Sequence, residues 1–190
     1  MLFMKCNPYS MEKKQTIVFG GGCFWCVEAV VQRLKGVESV ISGYSGGEKE
    51  NPSYIAVSSG TTGHAEVVKV EFDPAIISLD TLLSVFFSSH DPTTIDRQGN
   101  DVGPQYRSAI YYTSEEQKKE IEKFIQNLED EKTFSGKIVT EVQPLKNFYP
   151  AEEYHQNYYN KNKEQGYCQF VIDPKIAKLR AKFSHLLKPE

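Results

Sequence analysis

The stretch from Thr16 to Lys35 constrains the fold of this chain more than any other. Thr16–Gly20 (TIVFG) is short, β-branched and apolar, the pattern of a strand. It runs straight into Gly20, Gly21 and Gly22. From Cys23 to Lys35, Val27, Val30, Val31 and Leu34 recur at i, i+3, i+4 and i+7, which predicts a helix with one apolar stripe, and Gly36 ends it. A strand that turns at once into an amphipathic helix must fold that helix back over a sheet to bury the stripe.

The rest of the chain supplies the sheet. Val37–Tyr44 is strand-like and closes at Ser45-Gly46-Gly47. Glu48 to Gly63 is a polar loop. Glu66–Phe72 alternates, with Glu66, Val68, Val70 and Phe72 on one face and Lys69 and Glu71 on the other, until Pro74 breaks it. Ser78 caps a helix through Ser88. His90 to Tyr106 is a long loop, a length that usually marks function, and Arg107–Tyr112 is another strand. Strand, helix, strand, strand, helix, strand is the split βαβ order, so the expected fold is α+β, a ferredoxin-like βαββαβ two-layer sandwich. Ser114 and Gln117 form a capping box for a helix with Ile121, Phe124, Ile125 and Leu128 inward. Lys137–Val142 reads as a strand. Ala151–Asn160 and Lys175–Lys188 read as additional C-terminal helices. Residues 16–190 are expected to form a single domain behind a disordered extension, residues 1–15.

Composition narrows the function classes. A net charge of −3 gives no reason to expect nucleic acid or an anionic membrane as partner. No apolar run is long enough to cross a bilayer, and Met1–Gln15 lacks the apolar core of a secretory signal, so a cytoplasmic location is expected. The four cysteines, Cys6, Cys23, Cys26 and Cys168, are too few for a disulfide scaffold. Only Cys23 and Cys26 are spaced as metal ligands, and the four histidines do not pair, so no metal site is expected.

The chemistry concentrates at the start of the first helix. The glycines let the backbone approach a ligand, and Cys23 stands in the first turn, where free N–H groups and the helix dipole favour negative charge. That placement predicts a lowered thiol pKa and a reactive thiolate. Cys26, one turn on, makes a C-x-x-C pair, which also admits a general disulfide oxidoreductase. Phe24 and Trp25 between the two thiols suit an apolar pocket beside the sulfur. Glu66 shares the face of Val68, Val70 and Phe72 and so is expected to be buried, with a raised pKa that makes it a proton donor at neutral pH. Tyr44, Asp101, Tyr106, His155 and Tyr158 stand in glycine-rich or aromatic-rich stretches. Phenol groups among them are suited to binding an oxyanion, though with eleven tyrosines no single one is telling.

The chain resembles a known family. Gly20-Gly21-Gly22-Cys23-Phe24-Trp25 is similar to the signature of peptide methionine sulfoxide reductase A. The likeness continues through Gly43–Gly47, Thr62–Glu66, His90-Asp91-Pro92, Asp96–Gly103, Gln105–Ile110, Phe148-Tyr149, Ala151-Glu152, His155-Gln156 and Gly166-Tyr167-Cys168. The resemblance implies that Cys23 attacks the sulfur of methionine S-sulfoxide, free or in proteins, and that Glu66 protonates the departing oxygen. Tyr44 and Tyr106 would bond that oxygen, Asp101 would help hold a water or polar group there, and Phe24 and Trp25 would cradle the methyl group. It further implies a sulfenic acid on Cys23, an intramolecular disulfide, thioredoxin as reductant, and no cofactor; the role would be repair of proteins after oxidative stress, as a monomer. Either Cys26 or Cys168 could resolve the sulfenic acid. Cys168, which matches the family's usual position, is the expected resolving thiol; Cys26 is favoured by proximity, and a relay from Cys26 to Cys168 is the second choice. The family does not always carry a cysteine at the place of Cys26, and here Cys168 is followed by Gln-Phe-Val-Ile-Asp-Pro and a helix rather than a glycine-rich tail.

Overall fold

The computed structural model describes residues 14–189. The extension expected over residues 1–15, Cys6 included, lies outside the described residues except for its last two, and Gln15 already belongs to the first strand. The strands are β1 (Gln15–Gly21), β2 (Val37–Ser45), β3 (Ala65–Phe72), β4 (Arg97–Gln98), β5 (Asp101–Val102), β6 (Ser108–Tyr112), β7 (Glu141–Pro144) and β8 (Tyr149–Pro150). The helices are α1 (Phe24–Val31), α2 (Tyr54–Ser58), α3 (Leu79–Ser89), α4 (Glu115–Asp130), α5 (Tyr158–Lys161) and α6 (Asp173–Phe183).

Six strands form one sheet in the order β7-β6-β1-β3-β2-β8. Every pairing is antiparallel except β6 with β7. The register Ile17 with Val70 and Phe19 with Val68 aligns the apolar alternation of the two central strands. Ile17, Phe19, Val68, Val70 and Phe72 join Val27, Val30, Leu82, Leu83 and Phe86 of α1 and α3 in the main core. The opposite residues, Val18, Ala65, Val67, Ala109 and Tyr111, form a second, smaller cluster covered by Leu145 and Phe148. The fold is thus mixed α/β, with the first helix pinned to the middle of the sheet.

The strand expected over Lys137–Val142 is Glu141–Pro144. Three helices are shorter than their periodicity predicts. The one expected over Lys175–Lys188 ends at Phe183 in a 3₁₀ turn, because its last residues bond to Arg33, Leu34 and Lys35 just past α1, and in the other two tertiary bonds also take the backbone. The expected helix Cys23–Lys35 ends at Val31. The amide of Lys35 goes to Leu186 O, Lys188 N–H goes to Arg33 O, and Leu34 pairs with Leu187, so the chain end claims the last turn. The expected helix Ala151–Asn160 is two separate turns, Glu153–His155 and Tyr158–Lys161. Between them Asn157 is left-handed at φ 54°. The Glu28 carboxylate accepts the N–H groups of Asn157 (2.8 Å) and Tyr158 (3.1 Å), and the Gln156 side chain bonds both the N–H and the carbonyl of Ser42. The side-chain caps behave as read: Ser78 Oγ accepts from Thr81 N–H, and Ser114 Oγ from Gln117 N–H.

Candidate active site

β1 delivers the chain to Gly22, whose φ of +89° is left-handed, and a Cβ there would stand 2.7 Å from Gln98 Cγ. Only glycine fits that position without strain. Gln98 is fixed in turn by a reciprocal pair of bonds with the Asp91 backbone. The tight turn puts Cys23 at the N-cap of α1 with its side chain free of any capping bond. The cap comes instead from another strand: Glu66 Oε2 on β3 accepts the Phe24 N–H at 3.1 Å.

Glu66 lies on the core face, as the alternation predicts, and is only 2% exposed. Burial raises its carboxyl to about 8, with Asp101 adding to the effect and the Phe24 N–H opposing it. It is therefore a protonated acid at neutral pH beside a thiol. Cys23 departs from expectation. Burial (7% exposed) and the hydrogen bond with Cys26 push its thiol well up, Glu66 adds to this once it ionises, and Tyr167 opposes with a smaller contribution. The helix start does not make it a resting thiolate, because the site is desolvated and Glu66 already occupies the first free N–H of the turn. Cys26 moves the other way: its hydrogen bond with Cys23, the Lys175 charge and Tyr167 hold it down against burial.

An aromatic wall closes one side of Cys23. The Phe24 ring stands 5.1 Å from His155, 5.9 Å from Tyr44 and 6.4 Å from Tyr54. Trp25 stacks on Tyr158 at 3.7 Å and 7°, and its indole N–H donates to His155 Nδ1 at 3.2 Å. Tyr44 is fully buried, and its hydroxyl donates to Glu152 at 2.8 Å. The other Glu152 oxygen accepts the Tyr54 N–H at 2.9 Å. Burial, Glu152 and Glu66 push the Tyr44 hydroxyl far up. Tyr106 is raised too, first by burial and then by Glu66 and Tyr54, which places it within electrostatic reach of the acid.

The opposite side is polar. Tyr167 donates to Asp101 Oδ2 at 2.9 Å and lies 3.7 Å from Cys26 Sγ. Cys168 follows in a π-helical turn, Cys168–Ile172, that runs into α6; it is fully buried and within electrostatic range of Cys26. The structure thus brings Cys23, Cys26, Glu66, Phe24, Trp25, Tyr44, Asp101 and Tyr106 around one helix start, with Cys168 within electrostatic reach of Cys26. Sequence reasoning passed over Glu28, Tyr54 and Lys175 and did not see that Glu152 anchors Tyr44. Only Glu28 carried a signal, a carboxylate one turn from Phe24 on a helix that is otherwise apolar.

A buried acid beside one thiol, with a second thiol one turn away and an apolar cage over the first, defines a thiol-dependent oxidoreductase. A model of the peptide methionine sulfoxide reductase family matches residues 15–187, and the chain belongs to that family. It is 57% identical over 174 residues to peptide methionine sulfoxide reductase MsrA of Acinetobacter baumannii, covering 92% of this chain and 99% of that one. Methionine sulfoxide reductase A of Corynebacterium diphtheriae superposes with a TM-score of 0.76 at 35% identity, over 81% of this chain and 77% of that one. Mxr1 from Saccharomyces cerevisiae in complex with Trx2 superposes at 0.54 with 30% identity, over 81% and 91% of the two chains.

Proposed function

We propose that the chain reduces methionine S-sulfoxide, free and in proteins, to methionine, and that it acts in the repair of oxidised proteins. The observation that carries this is the Glu66 carboxyl capping the helix that presents Cys23. A neutral acid there can hand a proton to the sulfoxide oxygen while the Cys23 sulfur attacks the sulfoxide sulfur. An S–S bond forms as the S–O bond breaks, and the oxygen, carrying the Glu66 proton and the thiol proton, leaves as water. A water then attacks the Cys23 sulfur, the S–S bond breaks and methionine leaves. Cys23 is left as a sulfenic acid, and the proton that water loses returns to Glu66. Phe24 and Trp25 would take the methyl group. Tyr106 would bond the oxygen, joined by Tyr44 once its proton leaves Glu152, and Asp101 would hold a polar group near it through Tyr167.

A disulfide then forms and is reduced by thioredoxin, as the complex of the yeast relative with Trx2 suggests. Support for the order of thiols comes from Cys26, hydrogen-bonded to Cys23, and from Cys168, which feels the charge of Cys26. We infer that the disulfide forms first between Cys23 and Cys26 and passes to Cys168, so that both resolve in turn. The ferredoxin-like reading of the scaffold rests on the four antiparallel strands β6-β1-β3-β2 and the helices that connect them. A single domain from residue 16, a monomeric state and a cytoplasmic location complete the reading.

The test is an epimer-resolved assay with racemic dabsyl-methionine sulfoxide and dithiothreitol. The reading requires methionine to form and the reaction to stop near half consumption, since the other epimer has its own enzyme. Consumption of both epimers, or reduction of insulin disulfides without methionine, would overturn it.

A further inference from the structure

A cavity of about 240 Å³ opens on the polar side of α1, and Cys23, Cys26, Asp101, Tyr167 and Lys175 contribute to its wall. Lys175 is the third residue of α6. Its Nζ donates to the carbonyl of Ser89, the last residue of α3, at 2.7 Å. That acceptor is neutral, and among the described residues no carboxylate lies within ion-pair distance of Lys175. Its neighbour His90 is buried and held neutral, its imidazole pushed down to about 4 chiefly by burial. Asp101 already accepts the Tyr167 hydroxyl. An uncompensated ammonium therefore faces a cavity whose other walls hold two thiols.

We propose that Lys175 is a positioning residue for the second half of the reaction: from the shared cavity wall its ammonium stabilises the negative charge on the Cys26 sulfur as that sulfur attacks oxidised Cys23. This rests on the sulfenic acid proposed above. The Cys26 sulfur attacks the Cys23 sulfur, the S–S bond forms, the S–O bond breaks, and the departing hydroxide takes a proton to become water. The two thiols supply both electrons, so no other reductant enters. The groups that bear on Cys26 act in opposite senses. Cys23 and Tyr167 offer it hydrogen bonds, Lys175 attracts its charge, and Asp101 and its own burial oppose ionisation. Glu66 and Cys168 also lie within electrostatic reach of Cys26, since a negative Cys26 raises both of them, while Glu66 acts on the Cys23 thiol as well. The Cys23 hydrogen bond is the largest influence and burial the next, and Lys175 is the one full positive charge in the set, so its removal should raise the Cys26 thiol. The lysine also joins α6 to the end of α3, but so does Lys178, whose Nζ donates to Ser88 O at 2.6 Å without lining the cavity. Lys178 is thus a built-in control for a purely structural role.

The experiment has two readouts. In a chain carrying Cys6→Ser, Cys23→Ser and Cys168→Ser, Cys26 is the only thiol, and its ionisation is followed by ultraviolet thiolate absorbance. Lys175→Met should move the midpoint up by about one pH unit, Lys175→Arg should restore it, and Lys178→Met should leave it in place. In the chain with all its cysteines, one equivalent of methionine sulfoxide should release the first methionine at the normal rate in Lys175→Met. Loss of the Cys26 thiol should then slow about tenfold at neutral pH and recover at alkaline pH. If Lys175→Met does not fold, Lys175→Gln removes the charge while keeping a donor toward Ser89. An unmoved midpoint, or an equal shift in Lys178→Met, overturns the proposal. Absence of methionine from the unaltered protein would instead remove the reductase reading, and the thiolate titration would still decide the role of Lys175.

Discussion

The two sides of the first turn of α1 are built from opposite materials. On the Phe24–Trp25 side the neighbours are rings: Tyr44, Tyr54, His155 and Tyr158. On the Cys26 side they are Asp101, Tyr167 and Lys175. An apolar wall can hold a methyl group and exclude water, whereas a charged wall can stabilise a thiolate and release hydroxide. Cys23 belongs to both, so one sulfur can meet an apolar substrate on one side and a second thiol on the other. The contrast teaches that the two half-reactions should be separable by mutation.

The largest effect should come from the residue common to both sides. Cys23→Ser is expected to abolish methionine release while circular dichroism and melting remain those of the parent. Activity above a trace would break the comparison at its centre.

Glu66 should act in the first half alone. Glu66→Gln is expected to slow single-turnover methionine formation by about 10²- to 10⁴-fold and to leave disulfide formation from preformed sulfenic acid unchanged. With the acid form lost above about 8, the parent's first step should fall on the alkaline side, and the variant should lack that limb. The same titration bears on stability. Between 4.5 and about 8 the folded state holds a proton that the unfolded chain releases. Stability from this group is therefore complete below 4.5 and declines as pH rises toward 8, and Glu66→Gln should flatten the slope in urea melts.

Glu28 tests whether the aromatic wall is held from behind. It is buried at 1% exposure and accepts two backbone N–H groups next to Tyr158. Glu28→Ala should leave those donors unsatisfied and cost about 1–3 kcal/mol in chemical denaturation, with KM for sulfoxide raised and the Cys23–Cys26 step untouched. A matched loss in both steps would show that the two walls are not independent.

The smallest expected effect sharpens the picture. Tyr158→Leu removes the stacking partner of Trp25, a contact of about 0.5–1.5 kcal/mol. A KM increase of a few-fold with unchanged kcat is expected from steady-state kinetics. An altered kcat instead would mean that Trp25 contributes in the transition state rather than in binding.

Much of the site was legible in local sequence because its logic is local. The glycine turn, the N-cap place of Cys23, the C-x-x-C spacing and the face of Glu66 all follow from periods of 3.6 and 2 and from what glycine alone permits. The same periods located β1, β3, α3 and α4, with boundary errors of a residue or two. The failures share one cause. The helix expected over Ala151–Asn160 broke because the Glu28 carboxylate takes the N–H groups of Asn157 and Tyr158 and the Gln156 side chain donates to the Ala151 carbonyl. The expected thiolate at Cys23 failed because the folded chain buries the sulfur, and the Glu66 carboxyl 42 positions from Phe24 has taken the helix cap.

What the sequence determined by itself was the strand-to-helix turn, the place of Cys23 at the helix start and the burial of one acid, since each depends on neighbours within a few residues. What only the tertiary structure decided was the electrostatic state of those groups. A pKa is set by every charge and hydrogen bond within several ångströms, and for Cys23, Cys26 and Glu66 these come from β3, from the loop bearing Asp101, from Tyr167 and from Lys175 on α6. No pattern along the chain records which of those distant segments will converge, because that is settled by burying the core and not by the site itself.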